Sequence, residues 1–237
     1  MLMAVKKTAK PSIAPRSARR RSVAQTGANT REVLVREAMK LFAERAIDAV
    51  SLREIVQKAG QGNQSAIHYH FSDKPGLVIA VAEFVRSMFE PHFAAAIAEI
   101  VEQEREGTLN DEHLVAALVM PLIKVFHADD LGRDAIRFVA RLASDGGDLG
   151  QSLVLKQCAP FLNQIEPRLA ARHPDKSREK LQFQLLLGMS STIFGLTAIG
   201  GLRHSPFGGD HSTMYAGRFD DLIRDYVHFV GRGLLGD

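Results

Sequence analysis

Apolar residues recur along this chain at the three- and four-residue intervals of helices, with no convincing two-residue alternation of a half-buried strand. Leu34, Ala38, Leu41 and Phe42 form one stripe; Thr30 before it can cap a helix, and Glu32 suits the helix's positive end. Leu52, Ile55, Val56 and Ala59 form a shorter stripe, opened by Ser51 and Glu54 at capping-box spacing. Gly60 closes it, Gly62 and Asn63 continue the turn, and a third helix runs from about Asn63 to His70 with Ile67 and Phe71 as its anchor. Beyond residue 77 the pattern stays helical. Asp73 can cap a helix carrying Leu77, Val81, Phe84, Val85, Met88 and Phe89, which Pro91 is expected to kink or interrupt before Ile100. Breaks at 107–110, 129–132, 144–150, 173–174 and 200–212 leave helices near 111–127, 133–143, 150–171, 176–199 and 213–234. The fold class is all-α.

The first three stripes converge in a small three-helix core with no room for a ligand. At 100° per residue, Ser65 and Tyr69 lie opposite the Ile67–Phe71 anchor, with His68 on the flank and Asn63 and Gln64 at the helix start. Amide, hydroxyl, imidazole and phenol groups on a surface helix can contact base edges and phosphates. Two short helices around a tight turn, the second so equipped, make a helix-turn-helix with a candidate reader of the major groove.

The segments TREVLVREAMKLFAERAIDAVSLREIVQKAG, SAIHYHF and SDKPGL occur in the order and spacing of a known domain. Residues 30–77 resemble the DNA-binding domain of the tetracycline-repressor (TetR-type) family of bacterial transcription regulators, departing from it at Ala46, Gln61, Gly62 and His68. The resemblance implies a DNA-binding domain over 30–76 and a helical ligand-binding and dimerisation domain over 77–237. It also implies a homodimer on a palindromic operator of double-stranded DNA, acting as a repressor that a small effector releases; the Phe- and Met-rich interior expected beyond residue 77 makes that effector apolar or aromatic. With the helical-face argument, it assigns base or phosphate contacts to Asn63, Gln64, Ser65, His68 and Tyr69. Backbone contacts fall to Thr30, Arg53, His70 and Lys74, and Ser51 belongs to the same DNA-facing set.

Two late helices carry long stripes, Leu181 to Ile199 and Tyr215 to Leu234, and Gly188, Ser191 and Gly195 permit close approach. Packing within one monomer accounts for part of both. Two such helices from each of two chains would make a four-helix bundle, which the resemblance favours, with Leu185, Met189, Thr192, Leu196, Phe219, Leu222, Tyr226 and Val230 at the interface. Eleven of the thirteen Phe lie beyond residue 77, so a roomy apolar interior is expected there. Its candidate lining is Phe84, Met88, Phe89, Phe126, Phe138, Phe161, Phe183, Met189 and Phe194, with Arg137, Arg141 or His127 to hold a polar end. The region from Phe138 to Ile199 faintly resembles members of that family that sense fatty acids or their thioesters. The helix from Asp73 to Ile100 would carry a ligand's push to the reading helix.

Composition narrows the remaining choices. Apolar content of 46% with 24% charged residues is that of an ordinary soluble globular chain. No apolar run approaches the ~18–20 residues of a membrane span, so no membrane association is expected. The single cysteine, Cys158, excludes an internal disulfide, fits a reducing compartment, and reads as a buried apolar filler. Residues 1–29 hold Lys6, Lys7, Lys10, Arg16, Arg19, Arg20 and Arg21 and no acid, so the rest of the chain is net acidic although the whole carries +3. They read as a disordered basic arm, either merely solvated or adding phosphate contacts or entering a minor groove beside the recognition helix. His68 and His70 diverge by about 200° on a helix, so one metal ion cannot readily join them. No phosphate-binding loop, nucleophile elbow or metalloprotease motif occurs, and nothing demands catalysis, a metal or a cofactor. The expectation is a cytoplasmic bacterial regulator, associated with the nucleoid when on DNA, and not an enzyme. The alternative is an all-helical enzyme or binding protein whose helix-turn-helix serves protein contacts.

Overall fold

A computed structural model describes residues 16–61, 65–198 and 219–236, with side chains from Asn29 onward except those of Ala66, Phe219 and Asp220. Every regular element among the described residues is helical. The order is α1 (Arg16–Glu44), a 3-10 turn (Ile47–Ala49), α2 (Leu52–Lys58), α3 (Ser65–Phe71), α4 (Lys74–Glu106), α5 (Asp111–Ala128), α6 (Asp130–Asp145), α7 (Gly147–Arg172), α8 (Arg178–Ala198) and α9 (Phe219–Leu235).

The first helix corrects the expected arm. It opens at Arg16, so the second half of the basic stretch is helical and Thr30 lies inside α1 instead of capping it. Between Pro15 and Gly27 nothing breaks a helix, and Ala and Arg are among the best helix formers. Residues 1–15 lie outside the described residues.

The helix-turn-helix closes as its residues dictate. The Ser51 side chain accepts from the Glu54 N–H at 3.2 Å. The reciprocal half of the capping box is replaced, because Arg45 takes the Glu54 carboxylate and ties the end of α1 to α2. At the end of α2, Gly60 sits at φ +67°, which frees Gln61 N–H to reach the Val56 carbonyl at 2.9 Å and Gly60 N–H to reach that of Gln57 at 3.1 Å. α3 has only seven residues, too few to hold itself, and is kept by tertiary burial. Ile67 is fully buried and Phe71 nearly so, among Leu34, Phe42, Ile55 and Leu77; such side chains each gain about 1.5–3 kcal/mol from burial.

The joint from α3 to α4 is very close. Asp73 caps α4 by accepting from Gly76 N–H at 2.8 Å, and a Cβ on Gly76 would overlap the Phe71 carbonyl oxygen. Gly76, a weak helix residue by propensity, is what lets α3 meet α4 at this distance. α4 then runs unbroken for 33 residues, about 50 Å at 1.5 Å per residue. Pro91 does not interrupt it. It stands on the exposed side and forfeits one backbone bond there, which tertiary packing of the opposite side outweighs.

α5 to α9 enclose the rest of the interior, and α6 packs directly on α1, with the Phe42 and Phe138 rings 6.2 Å apart. One continuous apolar core therefore runs from Leu34 to Leu234, across the boundary at residue 77. Contrary to expectation, α8 is long and apolar enough by length and composition to cross a membrane. Its Leu181, Leu185, Met189, Ile193 and Leu196 are instead buried against the rest of the chain.

Candidate nucleic-acid interface and interior cavity

With Ile67 and Phe71 drawn inward, the opposite face of α3 must meet solvent. Tyr69 is 84% exposed and Ser65 and His68 are exposed beside it. Among the described residues, the one ring contact of that phenol is the neighbouring His70 imidazole, and the core takes up none of it. His68 Nδ1 lies 2.8 Å from the Ser72 carbonyl oxygen, which can only accept, so Nδ1 carries the hydrogen of that bond. His70 is half-buried, edge-on to the Tyr69 ring at 4.8 Å. Burial, and then the neighbouring Arg31 charge, hold its imidazole below the usual histidine range, so at neutral pH it offers a neutral hydrogen-bonding group and not a cation.

The expected backbone contacts are found in different states. Arg53 is exposed on α2 and has no partner among the described residues. Lys74 is half-buried and donates to the Asp48 carbonyl at 3.2 Å, bracing the turn before α2 while keeping further N–H groups. Thr30 is half-buried in α1. Ser51 is exposed and occupied as a helix cap. Asn63 and Gln64 lie outside the described residues. Arg31 was missed: its exposed guanidinium sits 5.3 Å from the Phe71 ring centroid, beside His70. Its place next to Thr30, at the start of the matched motif, was the available signal.

A cavity of about 580 Å³ lies between α4, α5, α6, α7 and α8, open to solvent along α4 where Arg86, Glu90, Ala94 and Ala98 are exposed. Of the expected lining, Phe89, Phe138, Phe161 and Met189 face it. The other five do not. Phe84 lies under the Arg36 guanidinium at 5.0 Å. Met88 packs half-buried against the core, and Phe126 is buried edge-on to His127. Phe183 and Phe194 are 62% and 44% exposed on α8, and Phe194 borders a different cavity, beside Arg137 and Arg141. The sequence reading missed Phe93, whose ring lies 5.9 Å from that of Phe89 and 4.4 Å from that of Phe161. It also missed Ile97, Val154, Gln157 and Ile193. The spacing 89, 93, 97 on α4 was there to be read; which stripe of α4 faces the cavity was not.

Cys158 lines this cavity as well, and burial pushes its thiol up to about 11, so it stays protonated. The groups expected to hold a polar end lie elsewhere. Arg137 and Arg141 border a separate cavity of about 550 Å³ between α1, α6 and α8, paired with Asp134 at 3.4 Å and Asp145 at 3.0 Å. His127 borders neither cavity, and burial followed by the Arg133 charge lowers its pKa.

The expected dimer residues also need correcting. Leu185, Met189, Thr192, Leu196 and Val230 are already buried within one chain, and Gly188 brings α8 close to Leu118 of α5 and Leu234 of α9. Leu222 and Tyr226 are half-buried, with Tyr226 Oη 3.0 Å from Ser191 Oγ; the Phe219 side chain is outside the described residues. What these two helices leave in solvent is a different stripe: Phe183, Leu187 and Phe194 on α8 and Phe229 on α9. The physical reason is that two apolar stripes share each helix, and the inner one is consumed by the core.

A family model described as bacterial regulatory proteins, tetR family, matches residues 34–81. A second, described as tetracyclin repressor-like, C-terminal domain, matches residues 116–231. No match is found among curated proteins.

Proposed function

This chain belongs to the TetR family of bacterial regulatory proteins and is a DNA-binding transcriptional regulator; from that premise we propose that it is a homodimeric repressor which a small apolar molecule releases from a palindromic operator. The family assignment points to a regulator rather than an enzyme, and the proposed site of action is DNA in the cytoplasm. The observation that carries the reading is Tyr69, 84% exposed on a helix whose other face is locked into the core by Ile67 and Phe71. Ser65, His68 and Tyr69, with Asn63 and Gln64 ahead of them, are the proposed base-reading set. Arg31, Arg53 and Lys74 are the proposed phosphate contacts, with His70 as a neutral donor.

In a dimer joined through Phe183, Leu187, Phe194 and Phe229, two copies of α3 would lie in successive major grooves, about 34–36 Å apart. Effector response has two mechanical links available. α4 starts at the reading helix and presents Phe89, Phe93 and Ile97 to the cavity. Phe138 lines the same cavity and packs its ring on Phe42 of α1. A ligand that prefers the splayed dimer weakens operator binding by its differential affinity, roughly 5–150-fold for a coupling of about 1–3 kcal/mol. The test is a gel shift with the DNA upstream of the chain's own gene. Saturable, sequence-specific binding supports the reading; weak, salt-sensitive binding alone would favour a helix-turn-helix used for protein contacts.

A further inference from the structure

The cavity wall is chemically one-sided. Phe89, Phe93, Phe138 and Phe161 line it, with aliphatic side chains such as Val85, Ile97, Leu122 and Ile193 between them. Its only charged lining residues among those described, Arg86 and Glu90, stand on the exposed side of α4 at the rim and pair with each other at 2.9 Å. Inside, the polar groups are the Cys158 thiol and the carboxamides of Gln157 and Gln164. The Gln164 carbonyls are engaged by Arg168, whereas Gln157 is half-buried with no hydrogen-bond partner among the described residues. Burial alone pushes the Cys158 thiol up, the direction expected of a wall where negative charge is disfavoured and no cation stands close enough to offset it.

We propose that this cavity takes an uncharged lipophilic molecule carrying one neutral hydrogen-bonding group, such as a hydroxyl, ketone or ester oxygen met by Gln157, and rejects the corresponding anion. This rests on the reading of the chain as an effector-responsive regulator and specifies the chemistry of its effector. A carboxylate entering the cavity would lose hydration against the aromatic wall and meet no cation inside it, because Arg137 and Arg141 border the other cavity and Arg86 stands in solvent at the rim, shared with Glu90. An alcohol or ester of the same chain length loses far less on entry, and a carboxamide can donate to its oxygen. A volume of about 580 Å³ is within the range of sites that enclose drug-sized ligands, and it suits a medium-length chain or a fused aromatic pair.

The experiment uses a matched pair of fluorescent probes on the full chain: N-phenyl-1-naphthylamine, which is uncharged, and its sulfonate, 8-anilino-1-naphthalenesulfonate. The uncharged probe is expected to bind at least about tenfold more tightly. Ala94→Trp, at an exposed α4 position that lines the cavity, should weaken that binding without disturbing the fold. At about pH 7.5, where the acid is ionised, decanol should displace the probe and decanoate should not, and Gln157→Leu should reduce the effect of decanol. Equal affinity for the two probes, both sensitive to Ala94→Trp, overturns the charge selection while leaving an effector site in place. So does decanoate competing as well as decanol, or a sulfonate affinity that falls in Arg86→Gln. If neither probe responds to Ala94→Trp, the cavity is not a binding site and the effector reading falls with the proposal.

Discussion

The two working regions of this chain are built in opposite ways. Around α3 the interior is filled, with Ile55 and Ile67 wholly buried, and the chemistry points outward through Ser65, His68 and Tyr69. Around α7 the interior keeps about 580 Å³ of space, and the side chains that matter point inward. The first arrangement suits a rigid surface that must match a groove to within a hydrogen bond, and the second suits an interior that can repack around a guest. Coupling such regions needs elements common to both. Phe138 belongs to the cavity wall and to the α1–α6 contact, and α4 belongs to the cavity wall and to the joint with α3. The core is continuous for the same reason: a gap between the regions would uncouple them.

The largest effect should come from removing the shared element. Phe138 is fully buried, and Phe138→Ala deletes a ring that contacts both regions, so a loss of about 3–5 kcal/mol is expected in chemical denaturation. If the two regions are energetically one body, a single transition moves to lower denaturant. Two separated transitions would show that they unfold apart.

Gly76→Ala should divide the regions next. Its Cβ would overlap the Phe71 carbonyl oxygen, and relieving that overlap must shift α3 relative to α4, at a cost of about 1–3 kcal/mol. Operator binding should be lost while probe binding in the cavity persists. Operator affinity retained at the wild-type level would mean that α3 can be displaced without harm.

Tyr69→Ala should act on one function with almost no effect on the fold. The side chain is 84% exposed, so stability should change by less than about 0.5 kcal/mol, whereas operator affinity should fall by about 1–3 kcal/mol. Operator affinity unchanged in a gel shift would remove Tyr69 from the reading set.

The smallest expected effect is a pH dependence. His70 has a pKa held below its unfolded value of about 6.5, so the unfolded chain binds its proton more readily. Stability should therefore be full above the unfolded pKa and decline as pH falls through it, levelling once both states are protonated. His70→Gln should remove that component of a melting-temperature profile between about pH 7.5 and 5. A profile unaltered by the substitution would show that the burial of His70 does not matter energetically.

Much of this protein was fixed by local sequence. The helices near 111–127, 133–143 and 150–171 appear as Asp111–Ala128, Asp130–Asp145 and Gly147–Arg172, because the 3.6-residue period and the residues that break it act locally. The Ser51 cap, the Gly60 turn and the inward pair of Ile67 and Phe71 were legible on the same grounds. The residues that line the cavity were not. Phe93 and Phe183 are alike in a list of aromatic positions, yet one stacks against Phe161 and the other is 62% exposed, because only the packing of neighbouring helices decides which stripe turns inward. The same holds for Met189 and Phe194 on α8, and for Arg137 and Arg141, whose charge was visible in the sequence while the cavity they border was not. Periodicity sets which residues share a face; tertiary structure decides what that face meets.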